Sequence, residues 1–212
     1  VMIIVEAIQW IAANLSTFTG AFNRHMVMSL ISLAIGLAVA LPAGIAVARS
    51  PRAAFVTVNV AGAARSIPSL AILAAAMPIL GIGLLPSVIA LCVLAIPPLL
   101  LNTIIGIREV DPAILDAANG MGMGRSDILW QIEIPLAIPS ILSGVRTAAI
   151  QVIGGAALAS FIGGGGLGDF INAGIAIMDM PRLLVGAIPI ALLAILAELT
   201  FGWLERRVSH RS

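Results

Sequence analysis

The sequence contains no lysine and no tyrosine, only one cysteine, and little charge of either sign, with ten acidic and eleven basic residues among 212. Each shortage excludes something. The chain is 10% charged and 60% hydrophobic, with a mean hydropathy of +1.14. Soluble domains carry about a quarter charged residues, so this composition cannot wet a globule of its size. Its surface must face a medium as apolar as its interior, which points to lipid. A net charge of +1 without a basic cluster excludes nucleic acid as a partner. Every basic side chain is arginine. A phosphate-binding loop needs lysine to reach the β- and γ-phosphates, so any ATP-driven step must draw on another polypeptide. Cys92 stands alone in an apolar run, leaving no intrachain disulfide and no reading of redox compartment. Residues 1–13 are apolar but hold Glu6 and lack a basic flank. They fit a signal peptide poorly and are expected as an interfacial helix ahead of the first span.

What is present is long hydrophobic runs. A crossing helix needs about 20 mostly apolar residues, and residues 26–47, 53–80, 86–107, 136–162 and 183–204 meet that. The second run is interrupted by Arg65, Pro68 and Pro78. Between the third and fourth lies a polar insert over 108–135, with five of the ten acidic residues. The expected fold is an all-α polytopic membrane bundle of about five spans, one domain over 1–212. Gly36, Ala40, Gly44 and Ala48 form a small-residue stripe, and Gly155, Ala159 and Gly163 another. Both suit close helix packing within the subunit. Arg49, Arg52, Arg108, Arg125, Arg206, Arg207 and Arg211 fall on one side of this topology, against Arg24 and Arg182 on the other. The arginine excess places the insert and C-terminus in the cytoplasm and the N-terminus outside.

Within the insert, Asp116-Ala117-Ala118 is followed after three residues by Gly122, and after nine more by Ile132-Glu133-Ile134-Pro135. Pro112 can open a short helix because its missing N–H is not needed there. The helix over 113–119 would show Ile114, Ala117 and Ala118 as an apolar stripe. Asp116 is expected near its start, favoured by the dipole. Gly120, Gly122 and Gly124 allow a sharp turn. A second amphipathic segment over 125–134, with Trp130 at the interface, is expected to end at Pro135.

These spacings resemble the EAA signature of binding-protein-dependent ABC importer permeases. Asp116 stands for the usual glutamate and Ile134 for leucine. The resemblance extends over about 30–207. The stretches Arg65–Ala71, Ser143–Ala148, Phe161–Asp169 and Gly186–Pro189 look like the osmoprotectant subgroup for glycine betaine, carnitine or choline. Methionine-type permeases carry a similar glycine-rich turn, so another small solute, such as an amino acid, stands as the alternative.

The resemblance implies a type I importer fold without enzymatic activity or cofactor. Its implied partners are an ABC ATPase dimer, an extracellular solute-binding protein, a second permease copy or paralogue, and membrane lipid. The location it implies is a bacterial inner membrane. It implies that Asp116, Ala117, Ala118, Gly122, Ile132 and Pro135 couple the chain to the ATPase.

Other patterns weigh less. Gly163, Gly165 and Gly168 match a dinucleotide fingerprint in spacing, but follow a spanning helix rather than a strand. His25 and His210 lie near opposite faces, and no acidic or histidine cluster has metal-ligand spacing. Asn14-Leu15-Ser16 fits a sequon that a bacterial protein leaves idle. No serine nucleophile elbow supports a membrane enzyme, and no internal repeat supports an ion-coupled secondary transporter.

Charges at membrane depth are costly and mark function or an internal partner. Arg146 lies about 16 Å along a helix from Pro135, and Glu198 about 9 Å in from the same face. The two are candidates for an internal ion pair. Arg65, beside Ile67-Pro68, is a candidate for the pathway. None of Trp10, Trp130 and Trp203 sits well inside a span, so no aromatic cage for a quaternary ammonium is expected. Substrate choice would then reside in the binding protein.

Overall fold

A computed structural model describes residues 2–209. The readings that touched Val1, His210 and Arg211 lie outside the described residues. Every regular element among those residues is helical. In chain order they are α1 (Met2–Ala13), α2 (Leu15–Ala48), α3 (Pro51–Ala64), α4 (Ser69–Leu80), α5 (Leu84–Arg108), α6 (Pro112–Gly120), α7 (Arg125–Ile128), α8 (Ile134–Leu158), α9 (Gly168–Ala176) and α10 (Met180–Ser209). A π-helical turn, Leu129–Glu133, joins α7 to α8, and a 3₁₀ turn, Ala159–Ile162, follows α8.

Four helical stretches are long and apolar enough to cross a membrane: Leu15–Ala48, Leu84–Arg108, Arg125–Ile162 and Met180–Ser209. The fifth expected span differs from its sequence reading. Residues 53–80 form α3 and α4, bent by 92°. Pro68 lacks an N–H for the helical ladder and pushes the residue before it out of the α region. The ladder therefore closes at the Arg65 and Ser66 N–H groups, which reach Ala61 and Ala63.

The chain divides into two compact units. The first takes the segment up to Gly36, Ile67–Ala95 and Ala149–Ala197. Its buried cluster holds Ala7, Leu167, Phe170, Val185 and Ile190, with Trp10, Phe18 and Phe22 packed on it. Trp10 meets Phe170 edge-on at 5.2 Å between ring centroids, so α1 is anchored on α9.

The second unit takes Leu37–Ser66, Ile96–Ala148 and the segment from Glu198. Ala48, Ala54, Ile104, Ile107 and Ala137 make its buried cluster. Small residues let α5 and α8 meet almost backbone to backbone. A β-carbon on Gly106 would stand 2.7 Å from Ser140 Cβ, and one on Gly144 2.8 Å from Asn102 Cβ. The α2 stripe of Gly36, Ala40, Gly44 and Ala48 is buried along its whole length within the chain.

Candidate functional site

The insert over 108–135 folds as two short helices around a glycine turn. Asp111 caps α6: its carboxylate accepts from the Ala113 N–H at 2.8 Å, and Pro112 takes the first helical position. Asp116, expected near the helix start, does not lie there. Asp116 is the fifth residue of α6, exposed and past the first turn, and Asp111 does the capping. The expected apolar stripe also divides. Ala118 is buried, whereas Ile114, Ala117 and Met121 are exposed at helical spacing. The outward apolar face of α6 is thus Ile114–Ala117–Met121, and Ala118 seats the helix on its own unit.

Gly122 turns the chain. Its φ is +80°, and no atom lies within 4 Å of where a β-carbon would stand. The requirement for glycine there comes from the backbone alone. The Gly122 N–H donates to the Asn119 carbonyl at 3.0 Å and Met123 N–H to Ala118 at 3.2 Å, so the turn satisfies the end of α6.

Pro135 does not end the second amphipathic segment. Residues 125–162 run as one continuous helical stretch, with Pro135 the second residue of α8. Ahead of it the ladder widens, and the Ile134 N–H reaches the Leu129 carbonyl five residues back. A proline ring collides with the i−4 carbonyl of a regular helix, and the wider π turn around Ile132 absorbs the misfit. Two arginines tie the insert to helix ends. Arg49 Nη2 donates to the Arg125 carbonyl and Arg108 Nη1 to the Ala48 carbonyl, each at 3.2 Å.

Further along α8, Arg146 Nη1 lies 3.5 Å from Glu198 Oε1 and 3.3 Å from Glu205 Oε2. Sequence reasoning missed Glu205. It follows Glu198 by seven residues, about two turns, and so projects from the same face of α10. Glu205 is also the more enclosed carboxylate, with its side chain 27% exposed against 51% for Glu198. Arg65 joins neither. It is exposed at the C-terminal cap of α3, at the bend before α4.

The glycine run after α8 has its own clamp, unforeseen in the sequence. Arg24 Nε donates to the Gly164 carbonyl at 2.7 Å, and Gly163, Gly165 and Gly166 all have positive φ. Burial pushes the nearby Asp169 carboxyl up from its ordinary pKa, with the Arg24 charge opposing. Among the described residues, no three histidine, cysteine or acidic side chains converge as metal ligands.

Over residues 40–210 the sequence matches the family described as binding-protein-dependent transport system inner membrane component. The chain belongs to this family. It is 43% identical over 189 residues to the carnitine transport permease protein OpuCB of Listeria monocytogenes, covering 89% of this chain and 87% of that one. It is 40% identical to the glycine betaine/carnitine/choline transport system permease protein OpuCB of Bacillus subtilis, over the same shares. The osmoprotectant import permease protein OsmY of Salmonella typhimurium is 36% identical, covering 88% of this chain and 80% of that one. In fold, the permease resembles a chain of the inward-facing MetNI methionine ABC transporter. The TM-score is 0.78 at 21% identity, covering 92% of this chain and 98% of that one. A chain of an amino acid ABC transporter with histidines gives a TM-score of 0.73 at 21% identity, covering 96% and 98%. The permease is a multi-pass helical membrane protein with the fold of type I importer permeases.

Proposed function

We propose that this permease forms the translocation path for a small quaternary-ammonium osmoprotectant such as glycine betaine, carnitine or choline. A separate ATPase drives it through α6, and an extracellular binding protein feeds it. The observation that carries the coupling part is the outward apolar face of α6, Ile114–Ala117–Met121, held between the Asp111 cap and the Gly122 turn. An exposed apolar helix face suits a groove on another protein. Asp116, Ala117, Gly122, Ile132 and Pro135 then act as the coupling element, with Ala118 seating it. The solute class rests on the relatives' names. Two permease copies, or this one and a paralogue, complete the path, and residues 1–212 act as one permease domain in a bacterial inner membrane. The insert and C-terminus face the cytoplasm, the N-terminus faces outside, and α1 lies along the outer interface. Arg146 with its two carboxylates is an internal structural network, and Arg65 at the α3–α4 bend borders the path.

The test is uptake into proteoliposomes holding the permease, its ATPase and its binding protein. ATP-dependent accumulation of labelled betaine, carnitine or choline, unaffected by excess methionine or histidine, is the expected result. Accumulation of an amino acid instead moves the permease to the alternative solute class. Uptake driven by an ion gradient without ATP overturns the reading.

A further inference from the structure

A basic cavity lies beside the coupling element, within the second unit. Its volume is about 540 Å³, and Arg49, Arg108 and Arg125 line it with Asn119 and Glu133. Each guanidinium has five N–H donors. Arg49 and Arg108 each use one on a carbonyl, at 3.2 Å. Glu133 in the same lining leaves it with two net positive charges. None of the three arginines is in an ion pair with another described residue; the ion pairs there are those of Arg146. Three forked cations around one hollow are suited to a group with several anionic oxygens, which guanidinium binds in pairs.

A second hollow begins at the same arginine. A groove of about 320 Å³ between α3 and α5 is lined by Ala54, Phe55, Val58, Ile104 and Ile105, together with Arg108 and Glu109. Arg108 therefore borders both a basic cavity and an apolar groove. Arg49 and Arg108 stand at the ends of two membrane-crossing helices, α2 and α5, the depth at which lipid headgroups lie.

We propose that this pair of hollows is a binding site for an anionic phospholipid, its phosphate held by Arg49, Arg108 and Arg125 and one acyl chain laid in the Phe55–Ile105 groove. A free phosphate would use the cavity alone. The adjoining groove favours the lipid. Because Asn119 at the end of α6 lines the same cavity, an occupied site would brace the coupling element from the membrane side.

The full-length permease, purified in a mild detergent, would be titrated with phosphatidylglycerol, phosphatidylcholine and glycerol phosphate. Bound lipid would be counted by native mass spectrometry. Phosphatidylglycerol should be retained in preference to phosphatidylcholine. Each of Arg49→Gln, Arg108→Gln and Arg125→Gln should weaken that retention about fivefold, the effect of removing one basic residue from an anionic surface. Ile105→Trp, which fills the groove, should also weaken it while the phosphatidylcholine count stays unchanged. Equal retention of the two lipids overturns the proposal, as does unchanged retention in all three arginine variants. Displacement by glycerol phosphate with no effect of Ile105→Trp would make this a free-phosphate site, which overturns the lipid assignment. Loss of a co-purifying ATPase from the arginine variants at unchanged lipid retention would give the cavity to a protein partner, and overturns it equally. Arg125 is exposed, so Arg125→Gln keeps the test open if another variant fails to fold.

Discussion

The Glu205 carboxylate approaches the Arg146 guanidinium more closely than Glu198 does, 3.3 Å against 3.5 Å. One cation of α8 is thus shared by two anions of α10. Removing the shared member leaves two carboxylates facing each other, whereas removing either carboxylate leaves a pair. Arg146→Met should therefore destabilise the permease by about 3 kcal/mol, and Glu198→Gln by less than about 1 kcal/mol. Arg146→Met combined with Glu205→Gln should recover part of the loss. Melting in detergent checks the series. Strictly additive effects would dissolve the network.

Gly122 separates a backbone requirement from a packing one. Gly122→Val must hold a β-branched residue at a φ of +80°, at a cost of about 1–3 kcal/mol. It should abolish uptake and ATPase co-purification at normal membrane levels. Gly122→Asn should keep most of both, because asparagine tolerates the left-handed region. Gly120→Ala, helical and with nothing within 4 Å, should be neutral. Equal behaviour of the Val and Asn variants would mean that the turn is not what matters.

Two neighbouring aspartates should have separable effects. Asp111→Ala removes the α6 cap and should cost about 1 kcal/mol of local stability, seen as faster amide exchange over 113–120. Asp116→Ala should leave exchange unchanged, within about 0.5 kcal/mol, and lower ATPase association instead. A reversal of the two phenotypes would exchange their roles.

Orientation is open to direct labelling. Cys92 is buried and is the chain's one cysteine, so Cys92→Ala provides a clean background. Asn119→Cys should react with an impermeant thiol reagent only in inverted vesicles, and Asp169→Cys only in intact cells. Labelling of position 119 from outside would invert the topology drawn from the arginine count.

The spans were legible because lipid demands long apolar helices, and 26–47, 86–107, 136–162 and 183–204 fall inside observed helical stretches. The motif spacing located the α6 turn down to Gly122. Three features stayed hidden, each for a physical reason. Pro68 marks an interruption in the sequence, but a proline alone does not give the size of its bend, here 92°. The capping role of Asp111 depends on where the helix starts, and motif spacing drew attention to Asp116 instead. The Arg24 clamp on Gly164 spans 140 residues, and no local pattern encodes so distant a contact.

The five-residue reach from Ile134 back to Leu129 also has a rotational meaning. A widened turn takes up one residue more than a regular helix would, and one residue is about 100° of azimuth. The compass bearing of α7 is therefore offset from that of α8 by roughly a quarter-circle. A deletion within 129–133 that restored regular winding would leave the span apolar and continuous, but swing Arg125 and the chain leading to α6 toward a different quarter of the membrane plane. The widened joint thus works as an angular setting, fixing which way the segment leading to α6 points.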